Sequence, residues 1–114
     1  MGLGHKRTAR AETLSHGQQR ALEVGVALAS APRLLLLDEP TQGLAPEATQ
    51  HMTRLVQALA GRYTILLIEH KMRIVMSISD RISVMAFGEL IAEGTPNEVR
   101  QDPGVQRAYL GGRR

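Results

Sequence analysis

Two adjacent carboxylates directly follow one of the longest apolar runs of the sequence. Leu34–Leu37 is an unbroken run of leucines, and Asp38 and Glu39 come next. The flanking Pro32 and Pro40 favour a strand, and an all-apolar strand is typical of a parallel sheet that is covered on both faces. Ligands of open α/β sheets bind beyond the carboxyl ends of strands, where one carboxylate can hold Mg²⁺ through water and the other can polarise a water for attack on a phosphate. The alternative interpretation is a solvent-exposed loop in which the two acidic residues have no function.

A second candidate site opens the first predicted helix, within the stretch Leu14–Gln18. Gly17 has no side chain, so a phosphate could approach its backbone. The free N–H groups and partial positive charge of a helix N-terminus attract anions. Ser15 offers a hydroxyl to such a ligand, but it is also a good N-cap. Helix capping alone therefore explains the same residues without a ligand.

The third candidate is Glu69-His70, which directly follows the second apolar run. A histidine at the carboxyl end of a strand can hydrogen-bond a phosphate or an attacking water, although a lone histidine is more often structural. No pair of histidines has a metal-ligand spacing such as HExxH, and cysteine is absent, so the pattern argues against a zinc site.

The elements that must position these residues follow from the apolar periodicity. The predicted helices are Gln18–Ser30, one that begins at Pro46 and ends at Gly61, one over Met72–Ser79 and one that begins at Thr95. The predicted strands are Leu34–Leu37, Thr64–Ile68, Arg81–Ala86 and Leu90–Glu93, the last two joined by a turn at Phe87-Gly88. Apolar strands that alternate with amphipathic helices predict a layered α/β sheet.

Two helices carry apolar stripes that predict their buried faces. The stripe of the first comprises Ala21, Leu22, Gly25, Leu28 and Ala29. The stripe of the second comprises Met52, Leu55, Val56 and Leu59.

Composition excludes several classes of function. The 114 residues are 43% hydrophobic, which is too apolar for a disordered tail, and their formal net charge is +3. Aromatic residues make up only 3%, which argues against platforms that stack nucleic-acid bases. No apolar run exceeds four residues, whereas a membrane-spanning helix needs about 20. We therefore expect a soluble chain whose link to a membrane passes through a partner, and we expect no nucleic-acid partner.

Taken in order, the motifs resemble the C-terminal half of an ATP-binding-cassette (ABC) ATPase. Leu14–Gln18 is similar to the signature motif of that family, and Leu34–Glu39 is similar to its Walker B motif with the catalytic glutamate. Gly43–Pro46 lies where the D-loop lies, and His70 matches the switch histidine. The resemblance runs from about Gly2 to Leu110.

Within the family, the sequence most resembles the ATP-binding subunits of branched-chain amino-acid importers. The stretches that carry this resemblance are Thr64–His70, Asp80–Val84, Ala92–Pro96 and Val105–Gly111. The Gly-Leu-Ala-Pro form of the D-loop is also similar to that importer group.

The resemblance implies a role for each candidate residue. Asp38 would serve Mg²⁺ through water, Glu39 would act as the base and His70 would orient the attacking water. The signature residues would address the γ-phosphate of an ATP held by a partner subunit; they are Ser15, His16, Gly17 and Gln18. The implied cofactors are thus ATP and Mg²⁺.

The phosphate-binding loop of the family has no counterpart in this sequence. No G-x-x-x-x-G-K-[ST] occurs, and the only lysines are Lys6 and Lys71. The resemblance therefore implies a truncated P-loop NTPase fold with three layers and a mostly parallel sheet that lacks the Walker A strand and loop. Residues 1–30 would be the end of the helical subdomain, and residues 31–114 the remainder of the catalytic core with a C-terminal tail. Alone, such a chain is expected to hydrolyse little or no ATP.

The implied partners are a second ABC ATPase subunit in a head-to-tail dimer and transmembrane permease subunits. The chain would then be cytoplasmic and peripheral to the inner membrane. One alternative is a non-enzymatic or regulatory fragment that pairs with an intact cassette. Another is a lobe of a DNA-maintenance ABC-type ATPase, against which the continuation after Glu39 and the transporter-like stretch from Arg81 to Leu110 argue.

Overall fold

The computed structural model of the protein describes residues 15–109. Leu14 of the predicted signature motif and Gly111, which ends the last importer-like stretch, lie outside the described residues. The chain divides into two units between Glu69 and His70, and each is described by itself. The division predicted after Ser30 concerns the subdomains of the family and stays a prediction.

The first unit alternates helices with strands. Its elements are α1 (His16–Leu28), β1 (Leu34–Asp38), α2 (Pro46–Ala60) and β2 (Thr64–Ile68). The two strands pair in parallel, in a register that runs from Leu34 opposite Thr64 to Asp38 opposite Ile68. The prediction of parallel strands with helical connections is confirmed.

Helix α1 begins two residues earlier than predicted because Ser15 caps it. The Ser15 hydroxyl oxygen accepts from the backbone N–H of Gln18, and the Gln18 side chain accepts from the backbone N–H of Ser15. This reciprocal capping box places the first helical residue at His16. The helix also ends at Leu28, before the predicted Ser30, and Ala31 has a φ of 51° that no helix contains.

The prediction that the strands are covered on both faces is wrong for the described residues. Leu35 and Leu37 are buried, but Leu36 between them is 65% exposed. In β2, Leu66 and Ile68 are likewise exposed. Successive side chains of a strand point to opposite faces, and helices α1 and α2 supply a buried partner surface for only one of them.

The predicted helix faces are confirmed for α2 and corrected for α1. Met52, Val56 and Leu59 of α2 are buried, and Leu55 is half-buried. In α1 the buried residues are Ala21 and Val24, whereas Leu22 is 37% exposed. The face of α1 is therefore rotated from the predicted stripe toward Val24.

The second unit combines a hairpin with short helices. Its elements are α3 (Met72–Ile78), β3 (Ile82–Ala86), β4 (Glu89–Gly94), α4 (Pro96–Gln101) and α5 (Pro103–Ala108). Strands β3 and β4 are antiparallel, and the turn between them has φ of 52° at Phe87 and 80° at Gly88. Two positive φ values in a two-residue turn match the right-handed twist of a hairpin. The predicted hairpin is confirmed.

The core of the second unit is a cluster of buried aliphatic side chains, which are Ile82, Val84, Val99 and Val105. Helix α4 begins with the predicted capping box, in which Thr95 and Glu98 bond each other's backbone N–H. Helix α5 was not predicted from the sequence. The Asp102 carboxylate caps it by accepting from the N–H groups of Gly104 and Val105, and Pro103 occupies its first turn.

No helix within residues 15–109 combines the length and the apolar character that crossing a membrane would require.

Candidate functional site

The two adjacent carboxylates lie where β1 ends and the chain turns sharply. Asp38 is the last residue of β1 and is exposed, while Glu39 is half-buried. The backbone N–H of Glu39 donates to the Ile68 carbonyl at 2.7 Å, and the Glu39 φ is 46°. A left-handed conformation at a residue other than glycine costs about 1–3 kcal/mol and persists only where its surroundings hold it. The contacts around Glu39 therefore hold its backbone in this conformation.

Arg20 of α1 donates hydrogen bonds to the backbone carbonyl oxygens of this turn. Its Nη1 donates to the carbonyl oxygens of Glu39 and Pro40, both at 3.0 Å, and its Nη2 donates to the Gln42 carbonyl at 3.0 Å. The N–H of Gln42 in turn donates to the Glu39 carbonyl at 3.0 Å. We call residues Glu39–Gln42 the catalytic turn, after the role that the sequence predicts for Glu39. Arg20 was not predicted from the sequence, because an arginine within a helix carries no local signal that its guanidinium binds carbonyls distant in the sequence.

Thr41 connects the catalytic turn to the end of β2. Its backbone N–H and its hydroxyl donate to Oε2 of Glu69, at 3.2 Å and 2.6 Å. Thr41 is only 1% exposed. Sequence reasoning placed Glu69 at the end of a strand but assigned it no role.

The predicted signature residues lie at the N-terminus of α1, and two of them bond each other. Oγ of Ser15 accepts from Gln18 N at 3.2 Å, and Oε1 of Gln18 accepts from Ser15 N at 3.1 Å. The capping interpretation is thus confirmed. The Ser15 hydroxyl keeps its proton for donation to an anion, since a hydroxyl both donates and accepts. His16 is exposed beside them.

Gly17 lies at the contact between α1 and α2. A Cβ at this position would lie 3.1 Å from the Cβ of Ala48, closer than most such contacts. The absence of a side chain therefore lets the two helices approach, independently of any phosphate. A phosphate-binding role for Gly17 stays a prediction.

His70 is exposed and begins the second unit. Neither observation tests its predicted role in orienting a water, so that role stays a prediction.

The carboxylates fit a magnesium ion that shares its coordination with water and phosphate. Within residues 15–109 no three His, Cys, Asp or Glu side chains are grouped so that they could hold a metal ion by themselves. Mg²⁺ commonly uses one or two carboxylates and keeps several waters, so the exposed Asp38 is suited to hold the ion through one of those waters. Asp38 and Glu39 also border an open groove of about 410 Å³ between α1 and β1. A groove of this size has room for several water molecules, at about 30 Å³ each.

Two family models match the ends of the sequence. Residues 1–42 match the model described as "ABC transporter". Residues 89–114 match the model described as "Branched-chain amino acid ATP-binding cassette transporter".

Curated relatives cover nearly the whole chain. The high-affinity branched-chain amino acid transport ATP-binding protein LivG of Salmonella typhimurium is 45% identical over 113 residues, which are 97% of this chain and 44% of LivG. The corresponding protein BraF of Pseudomonas aeruginosa is 48% identical over 103 residues, which are 89% of this chain and 40% of BraF. The chain thus spans less than half the length of these relatives.

A solved structure shares the fold. The ATP-binding cassette MJ1267 of an ABC transporter superposes with a TM-score of 0.82 at 36% identity, over 96% of this chain and 45% of MJ1267. The α/β architecture with one parallel and one antiparallel strand pair is therefore part of a cassette fold, as the sequence predicts.

Proposed function

Because the chain belongs to the ABC transporter ATPases and matches the C-terminal region of their cassette, we propose that it supplies the signature and Walker B part of an ATP-hydrolysing subunit that drives solute import. The observation that carries this proposal is the catalytic turn. An exposed aspartate ends a parallel strand there, and the backbone of the next residue, Glu39, has a left-handed conformation. Phosphate hydrolysis can use two such groups beyond the end of a strand, one to hold Mg²⁺ and the other to act on the attacking water.

The proposed mechanism assigns one task to each side chain. Asp38 would hold Mg²⁺ through water, and the ion would neutralise charge on the phosphates. Glu39 accepts a proton from the water that attacks the γ-phosphate. His70 orients that water.

The N-terminus of α1 would act on the ATP of the partner subunit. The Ser15 hydroxyl and the first N–H groups of the helix donate to the γ-phosphate, and the helix dipole adds a favourable potential. His16, Gly17 and Gln18 complete this surface.

We further propose that this chain hydrolyses ATP only together with a phosphate-binding loop. No G-x-x-x-x-G-K-[ST] occurs in its 114 residues. Such a loop supplies the backbone N–H groups and the lysine that hold the β- and γ-phosphates. Asp38 and Glu39 carry negative charge, so they cannot replace those donors.

The proposed solute is a branched-chain amino acid, which the printed names of LivG and BraF support. The proposed partners are a second cassette, bound head to tail, and the transmembrane permease subunits. The proposal includes a position on the cytoplasmic side of the inner membrane, as a peripheral subunit with no nucleic-acid ligand.

A second candidate is a regulatory fragment that pairs with an intact cassette without hydrolysing ATP itself. The exposed apolar face of the β1–β2 sheet favours this alternative. Its side chains are Leu34, Leu36, Leu66 and Ile68, each more than half exposed at 51%, 65%, 55% and 54%. Contiguous apolar surface of this kind commonly marks an interaction site.

The experiment fuses this chain behind the part of Salmonella LivG that lies N-terminal to the match, and we call the product the restored cassette. We expect it to hydrolyse ATP. Glu39→Gln should abolish turnover and leave ATP binding intact, because the substitution keeps the shape of the side chain and removes the base. Glu47→Gln, an exposed glutamate of α2, is the matched control. Turnover of the Glu39→Gln variant within a few-fold of the unmutated enzyme would contradict the role of Glu39.

A further inference from the structure

Glu69 makes a specific contact with the catalytic turn. Its Oε2 accepts from both the N–H and the hydroxyl of Thr41, the second residue after Glu39. The 2.6 Å distance to the Thr41 hydroxyl lies at the short end of O–H···O hydrogen bonds. Glu69 is therefore a candidate for controlling where this turn lies.

The partial burial of Glu69 costs folding free energy that a side chain with a purely space-filling role would not cost. Its other oxygen, Oε1, is buried, and no donor within the described part of the chain lies at hydrogen-bond distance from it. A buried carboxylate oxygen without a donor destabilises the folded state, whereas an apolar side chain of similar size would not. The two hydrogen bonds that Oε2 accepts from Thr41 can offset this free-energy cost.

Arg20 and Glu69 hold the catalytic turn through opposite chemical groups. The guanidinium of Arg20 donates to carbonyl oxygens of the turn, and the carboxylate of Glu69 accepts from an N–H and an O–H of the turn. Together they engage both the acceptors and the donors of a segment whose first residue has a strained φ. A strained conformation persists only where such contacts over-determine it.

We propose that Glu69 is a positioning residue, which acts through Thr41 to hold the catalytic turn and thereby the carboxylate of Glu39. Its catalytic consequence rests on the proposed function, but the contact itself does not. Loss of the contact would allow the turn to shift, and a displacement of about 1 Å at a reacting group can cost a factor of about 100 in rate. Glu69 itself touches neither the phosphate nor the attacking water in this proposal.

The first test measures amide hydrogen exchange by NMR on the full 114-residue chain. We expect the Thr41 amide to be protected, and to exchange at least about tenfold faster in Glu69→Ala, since the acceptor of its N–H is lost. Glu69→Gln keeps an oxygen that can accept from Thr41, so its exchange should stay within about threefold of the unmutated rate. Glu47→Ala is the matched control, and it should leave the Thr41 amide unchanged.

A second pair of variants keeps this test decisive if Glu69→Ala does not fold. Thr41→Val removes the hydroxyl donor and should accelerate exchange at position 41, whereas Thr41→Ser retains the donor and should not. Rapid exchange of the Thr41 amide in the unmutated chain overturns the proposal. Equal exchange in the unmutated chain and Glu69→Ala, or in Thr41→Val and Thr41→Ser, overturns it as well.

The second test measures steady-state ATP hydrolysis by the restored cassette. We expect Glu69→Ala to lower kcat by about tenfold or more with little change in KM, and Glu69→Gln to retain most of the activity. An unchanged kcat, or a rise in KM alone, overturns the positioning role while the proposed function stands. An unmutated restored cassette that binds no ATP and hydrolyses none counts against the proposed function instead, and the exchange measurement then decides the contact of Glu69 by itself.

Discussion

Arg20 and Glu39 lie 19 positions apart in the sequence and are joined by a 3.0 Å hydrogen bond from the guanidinium Nη1 to the carbonyl oxygen. Arg20 belongs to α1, the helix that begins with the predicted signature residues, and Glu39 is the predicted base. In the proposed dimer these two features would serve different ATP molecules. Under that proposal, the bond connects the segment that would contact the partner's nucleotide with the segment that would act on the chain's own.

The contacts of Arg20 lead to a prediction about stability. We expect Arg20→Ala to lower the free energy of unfolding by about 2 kcal/mol, because three backbone carbonyls lose a charged donor. Arg54→Ala, which removes an exposed arginine of α2, should change it by less than about 0.5 kcal/mol. Urea unfolding followed by circular dichroism measures both values. Equal midpoints for the two variants would show that the catalytic turn does not depend on Arg20.

Local chemistry explains which parts of the fold were predictable from the sequence. Caps and tight turns involve residues that are close in sequence, so Ser15, Thr95 and the Phe87-Gly88 turn could be interpreted without a structure. Helix α5 is only six residues long and lacks an apolar stripe, so its signal was confined to the capping Asp102 and Pro103.

The contacts that hold the candidate site could not be predicted in the same way. Thr41 and Glu69 are 28 positions apart, and only the parallel pairing of β1 with β2 brings them together. The sequence therefore identified the carboxylates of Asp38 and Glu39 but not the groups that position them. An arginine on a helix and a glutamate after a strand are both ordinary surface residues until the tertiary structure is known.

The run of four leucines in β1 illustrates a further limit, because identical side chains contain no alternation to reveal their faces. The structure separates them, since Leu35 is 3% exposed and Leu36 is 65% exposed. We expect Leu35→Ala to cost about 2–4 kcal/mol of unfolding free energy and Leu36→Ala less than about 1 kcal/mol. The same substitution at adjacent positions makes each variant the control of the other. Thermal or urea unfolding measures the pair, and a similar cost at both positions would mean that Leu36 is covered in solution.

Glu98 provides a prediction about pH. Its pKa is lowered from the ordinary value of 4.5, first because the Thr95 backbone N–H donates to its carboxylate and then through the bond with the Thr95 side chain. A carboxyl whose pKa is lower in the folded state adds stability above its unfolded pKa, and that stability is lost as the pH falls through the folded pKa. The contribution of Glu98 should therefore be constant above about pH 5 and should decline below about pH 4.5.

Glu98→Gln isolates this contribution, because glutamine also completes a capping box but does not titrate. Melting temperatures of the two proteins, measured from pH 3 to pH 7, should differ by a constant amount at neutral pH. As the pH falls below about 4.5, the unmutated protein should lose stability relative to the variant. A difference that stays constant down to pH 3 would show that the capping carboxylate does not bond Thr95 in solution.

The last prediction concerns nucleotide binding by the chain alone. The sequence contains no phosphate-binding loop, and its only lysines are Lys6 and Lys71. The N-terminus of α1 offers N–H groups to an anion, but the Ser15–Gln18 capping box already engages two donors there, the backbone N–H groups of those residues. Asp38 and Glu39 repel a triphosphate unless Mg²⁺ lies between them and it. We therefore expect Mg-ATP to bind the isolated chain with a Kd weaker than about 1 mM, which corresponds to about 4 kcal/mol of binding free energy.

Isothermal titration calorimetry measures this affinity, with the restored cassette as the positive control. We expect the restored cassette to bind in the micromolar range, because a loop of backbone N–H groups and a lysine then surround the β-phosphate. The difference between millimolar and micromolar affinity is about 4 kcal/mol, and it measures what that loop contributes to holding the triphosphate. A micromolar Kd for the isolated chain would instead mean that its own residues form a complete nucleotide site. The N-terminus of α1, after Ser15, would then be the place to look for the phosphate contacts.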